Sequence, residues 1–213
     1  MKRRKHLLLL TVLFLLAALM LPVSVSAASK KYVKLYRNLL KKGTGTITSG
    51  TYTYSVEYKA FMTLDINRDG IPELLIKDQE PETGMTNIMV YTVKKGKLFY
   101  CGDYYTRTNY GGKISYSKKY KGVLDSWWTN GVGGSGVVLY GVSTKKHELV
   151  QKRWAWEGAD GLGSTTMVYE ITKNQKRVSK AKYDKYVNKY FNEKNFKTKK
   201  FKANTLKNRR KIK

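Results

Sequence analysis

From residue 51 to residue 172 the chain repeats short runs in which Val, Ile, Thr and Tyr alternate with polar residues, and glycine-containing dipeptides separate the runs. This pattern constrains the fold more than any other feature. Alternation with a period of two puts the apolar side chains on one face of a strand. Dipeptides such as Asp69-Gly70, Lys95-Gly96, Gly111-Gly112, Asn130-Gly131 and Asp160-Gly161 let the chain reverse between strands. Strands are predicted near 51–57, 58–64, 73–77, 86–94, 97–105, 113–117, 122–129, 136–143, 148–156 and 165–172. Short turns join antiparallel neighbours, so the expectation is an antiparallel β-sheet meander.

The periodicity changes on both sides of this region. Tyr32, Val33, Tyr36, Leu39 and Leu40 share one face of a helix predicted from Ser29 to Lys42, with Gly43 as its stop. Gly43 to Gly50 reads as a Gly/Thr/Ser linker. Tyr183, Tyr186, Val187, Tyr190 and Phe191 form a second helical stripe behind an N-cap at Ser179. Helices packed on an antiparallel sheet make the α+β class, here with one helix at each end. Residues 193–213 show no apolar period and read as a basic C-terminal tail.

Residues 1–27 read as a signal peptide. Lys2-Arg3-Arg4-Lys5 precedes an apolar run from Leu7 to Leu21 broken only by Thr11, and Val25-Ser26-Ala27 offers the small residues of a cleavage site. The run is shorter than the roughly 20 residues of a permanent membrane helix. The expectation is therefore a secreted protein, with residues 28–192 as its single exported domain. Cys101 is the only cysteine, so no disulfide closes within the chain. Such a domain must be held by its core or by a metal.

Forty-two Lys and Arg against 15 Asp and Glu give a net charge of +27. The excess is uneven, with 16 basic and two acidic residues between Lys176 and Lys213. A cationic exported chain implies polyanionic partners. Anionic cell-wall polymers or lipid head groups are the expected ones, and export argues against nucleic acid.

One stretch carries ligand chemistry: Asp65-Ile66-Asn67-Arg68-Asp69-Gly70-Ile71-Pro72-Glu73-Leu74. Calcium takes six to eight oxygens, and oxygens at positions 1, 3 and 5 converge when a glycine at position 6 turns the chain back. Those positions are Asp65, Asn67, Asp69 and Gly70. Ile71 would add its carbonyl and Glu73 a carboxylate. Position 12 is Ile76 rather than the glutamate of an EF-hand, and the flanks are strand-like. The stretch resembles the strand–loop–strand calcium loop of FG-GAP/VCBS-type repeats, which implies a calcium site at Asp65, Asn67, Asp69, Ile71 and Glu73. Those repeats occur in several copies and favour glycine where Arg68 stands, so the resemblance implies the loop and not a propeller. The competing reading is an Asp-Gly turn whose carboxylates cap backbone N–H groups. Asp78, Glu80 and Glu82 read as a nearby solvated acidic loop.

Other signals carry less. Gly131 to Gly136 spells G-x-G-x-x-G but leads into a strand, whereas a dinucleotide site needs a helix there. Cys101 and His147 lack the surroundings of a catalytic dyad. Trp154 and Trp156 share a strand face, forming a platform for sugar rings or bases if exposed and core if buried. The resulting expectation is a calcium-stabilised extracellular binding domain of unknown ligand. The alternative is a secreted hydrolase acting on cell-wall or host polymers, with its site in the glycine and tryptophan region.

Overall fold

The structure, a computed structural model, describes residues 25–49, 51–78, 86–106, 113–129, 133–172 and 174–213. The charged and apolar parts of the signal reading, with the Gly111-Gly112 and Asn130-Gly131 turns, lie outside them. Helix α1 spans Val25–Lys42 and therefore starts ahead of the predicted cleavage position. No described helix is long and apolar enough to cross a membrane.

The alternating runs form antiparallel strands. β1 (Thr44–Ser49) and β2 (Tyr52–Glu57) make a hairpin. A five-stranded sheet contains β3 (Ala60–Leu64), β4 (Glu73–Lys77), β5 (Thr86–Lys94) and β6 (Lys97–Thr106) in sequence order. A seven-stranded sheet contains β7 (Lys113–Ser117), β8 (Gly122–Thr129), β9 (Gly134–Val142), β10 (Leu149–Ala159), β11 (Met167–Ile171) and β12 (Lys176–Val178). Helix α2 (Lys180–Tyr190) follows, with Ser179 as its N-cap residue.

Side-chain alternation divides the core into three layers. Tyr32, Tyr36, Leu39 and Leu40 of α1 pack with Ile47 and Val56 of the hairpin and with Phe61, Leu74, Ile76 and Met89 on one face of the five-stranded sheet. The other face of that sheet supplies Met62, Leu75, Ile88 and Val90, which meet Ile114, Val123 and Val142 of the seven-stranded sheet. The far face of the seven-stranded sheet buries Leu139, Ala155 and Ile171 against Tyr183 and Phe191. The order is helix, sheet, sheet, helix. β5 is buried at every position from Thr86 to Val93, as a strand covered on both faces must be.

Besides β12, where no strand is predicted, two segments differ from the sequence expectation. Gly43 to Gly50 is not a linker, because β1 pairs with β2 through six residues and buries Ile47. Residues 193–213 do not trail as a separate basic tail. After a short 3-10 turn, β13 (Lys197–Lys200) pairs with β7, and β14 (Lys202–Ala203) pairs with β3. The same segment therefore closes the edge of both sheets, with Phe201 packed against the core between them. Helix α3 (Leu206–Arg209) then brings Ile212 into the α1 core at 4% exposure. Arg37 fixes this end by donating to the carbonyls of Arg209, Arg210 and Ile212 at 3.0, 2.8 and 3.0 Å.

Candidate functional site

The 65–73 loop joins β3 to β4 and is built from side-chain-to-backbone bonds. Asp65 accepts from the N–H groups of Asp69 and Gly70, both at 3.2 Å. The Asn67 carbonyl oxygen also accepts from Asp69 N–H at 2.9 Å, and Asp69 accepts from Ile71 N–H at 2.9 Å. These are Asx-type bonds that turn the chain. Arg68 at φ 61° and Gly70 at φ 89° take left-handed conformations to complete the turn. Among the described residues, no group of three or more His, Cys, Asp or Glu is gathered at metal-binding spacing.

Glu73 is the unusual member. It has no exposed surface and points into the layer between the sheets. Its oxygens accept from Ile66 N–H at 2.7 Å, from the Asn67 amide at 2.8 Å and from the Thr92 hydroxyl at 3.4 Å. The Asn67 amide also donates to Asp69 at 3.1 Å, which ties three of the five sequence-predicted ligand residues into one cluster. Burial is the main cause that raises the Glu73 carboxyl to about 8; the bond from Ile66 opposes the shift, and Asp69 and Asp65 add to it. Among the described residues, no Lys or Arg is ion-paired with Glu73. Asp78 accepts from Glu57 N–H at 2.8 Å, away from this cluster, and Glu80 and Glu82 lie outside the described residues.

No family model, curated protein sequence or solved structure matches this chain.

A second site escaped the sequence reading. In β10 a bulge between Gln151 and Arg153 inserts one extra residue opposite β9. A bulge re-aims side chains, and here Lys152 and Arg153 both line one cavity of about 570 Å³ with Lys119, Tyr120 and Lys121. The Lys152 ammonium donates to the carbonyls of Tyr120 and Lys121 at 3.3 and 3.0 Å. Burial, with Lys121 and Arg153 adding to it, lowers its pKa. The Arg153 guanidinium lies over the Tyr190 ring at 4.7 Å, and the Lys189 ammonium lies 5.1 Å from the same ring. Among the described residues, no carboxylate lines the cavity.

The remaining candidates separate. Cys101 is buried, and burial, with Glu73 adding to it, pushes its thiol up to about 12, far from a reactive thiolate. His147 instead packs its ring on Phe99 at 4.8 Å. The glycine run from Gly134 onward opens β9, a strand. Trp154 and Trp156 are partly exposed, on the face of β10 opposite to Ala155.

Proposed function

We propose that the protein is an exported, non-enzymatic binding domain, held at the cell envelope by polymers or head groups that carry phosphate. The observation that supports this most directly is the cavity at Lys119, Lys121, Lys152 and Arg153, which among the described residues gathers four cations and no acid. Like charges in one partly buried site repel, so the arrangement is costly until an anion enters. Arginine offers a planar fork for phosphate oxygens and lysine a point charge. The wider charge of +27 draws polyanions towards the same surface.

In this reading the 65–73 loop holds a structural calcium ion. Asp65, Asn67, Asp69, the Ile71 carbonyl and Glu73 are the donors; all are oxygens, as a hard cation requires. The buried, acid-flanked Glu73 supports the assignment, because a divalent cation would supply the missing positive charge. Millimolar calcium is expected to raise the melting temperature of the wild type and not that of Asp69→Ala. Equal melting in calcium and in EDTA would remove the ion from the proposal.

The anion assignment is tested with immobilised poly(glycerol phosphate), phosphatidylglycerol vesicles and a DNA duplex as separate probes. The double variant Lys152→Gln/Arg153→Gln is expected to bind the first or second probe at least tenfold more weakly, with unchanged melting. Equal binding by variant and wild type, or binding to DNA alone, overturns it.

A further inference from the structure

One face of the seven-stranded sheet is only half covered. Ile114, Val123 and Val142 on this face meet the five-stranded sheet. Farther along the same face, β8 carries Trp127 and β10 carries Trp154 and Trp156, which line an open groove of about 480 Å³ with Asp160, Glu170 and Arg177.

Strand register explains how these residues come together. Trp127 of β8 lies opposite Gly136 of β9, and Gly136 lies opposite Trp156 of β10. Trp156 lies opposite Glu170 of β11, and Glu170 lies opposite Arg177 of β12. Directly opposed residues project to the same face. The sequence thus writes one transverse row, Trp127–Gly136–Trp156–Glu170–Arg177, across five neighbouring strands. Trp154, two residues along β10, adds an indole on the same face about 7 Å away.

The glycine in that row has a specific use. A Cβ on Gly136 would lie 2.2 Å from the Trp127 ring. On Gly158 it would lie 2.5 Å from the Trp156 ring, and on Gly134 2.9 Å from it. Both indoles therefore lie down on bare glycine backbone and turn their outer faces to the groove. Three partly exposed indoles side by side are a costly surface to leave in water. The polar rim is ordered as well. Arg177 grips Asp160 through two bonds of 3.2 and 2.7 Å and stands 3.6 Å from Glu170.

We propose that this groove binds a neutral saccharide chain. Pyranose rings present flat C–H faces that stack on indoles, and their hydroxyls both donate and accept. Asp160 and Glu170 accept, and Arg177 donates, so the rim matches that chemistry. Local charge selects against an acidic chain, since the groove sets two carboxylates against one guanidinium on a protein of net charge +27. Both carboxylates are already held by Arg177, which suits them to hold hydroxyls rather than to exchange protons. The groove lies on the opposite face of the sheet from the Lys152 cavity and does not depend on the anion reading.

Three of the chain's four tryptophans, Trp127, Trp154 and Trp156, line the groove, so intrinsic fluorescence reports on it. Cellohexaose, chitohexaose and maltohexaose are titrated separately, with calorimetry alongside. At least one is expected to give a saturable spectral shift, unaffected by moderate salt. Trp156→Ala and Trp154→Ala should each weaken that binding at least tenfold, and Leu206→Ser on α3 should leave it unchanged. Glu170→Gln, which keeps side-chain shape and the aromatic floor, should weaken it severalfold and settles the matter if a tryptophan variant fails to fold. Absence of any shift at millimolar sugar, wild-type affinity in a folded tryptophan variant, or wild-type affinity in Glu170→Gln where the tryptophan variants do not fold, overturns the proposal.

Discussion

Glu73 takes a carboxylate into a layer made by Met62, Leu75 and Val90, and the cost of that burial depends on pH. In calcium-free protein the folded state holds the proton up to about 8, while the unfolded chain releases it near 4.5. The folded state then binds more protons throughout that window, so stability falls as pH rises through it and the full penalty stands above it. At roughly 1.4 kcal/mol for each pKa unit, the loss amounts to a few kcal/mol. Denaturation in EDTA should show this decline, Glu73→Gln should flatten it, and calcium should flatten it in the wild type. A decline of the same size in Glu73→Gln would remove Glu73 as its source. The sequence offered Glu73 as a member of the loop but said nothing of its burial. Glu73-Leu-Leu-Ile-Lys77 has no alternation to read, because β4 is covered on both faces.

Whether an element leaves a trace in sequence depends on what its side chains do. β3 to β11 bury a face, or both, and fall close to where alternation places them. β13 is Lys-Thr-Lys-Lys with every residue exposed, so it joins β7 through backbone bonds alone and leaves no apolar period. Lysines on an edge strand also deter further pairing. β1 has Ile47 as its one residue in the core clusters, which makes it look like a linker. The bulge at Lys152 is invisible for a related reason: it shows only in how β10 registers on β9. A consequence follows for the C-terminal segment. Ending the chain after Asn192 should unfold the protein, since it strips an edge from each sheet and removes Ile212. Ile212→Ala alone should cost about 2–5 kcal/mol, the usual range for such a core truncation. A truncated chain that keeps wild-type cooperativity and melting temperature would show the segment to be dispensable.

At the scale of the whole molecule, the seven-stranded sheet separates two surfaces of opposite character. Its α2 side carries the Lys152 cavity, and its other side carries the indole groove with a small acidic excess. Charge and stacking respond differently to salt, which lets the two be told apart in one protein. Each phosphate contact releases condensed counterions, so affinity for a flexible polyanion falls as a power of salt concentration. Four engaged cations would give a loss on the order of 50-fold between about 50 and about 200 mM salt. Binding of a neutral sugar releases no counterions and should not move over that range. Because the surfaces lie on opposite faces, saturating the groove with sugar should leave the polyanion affinity unchanged, and the reverse. A shared salt slope, or competition between the two ligands, would mean that one site serves both and that the division of the sheet into two binding faces is wrong.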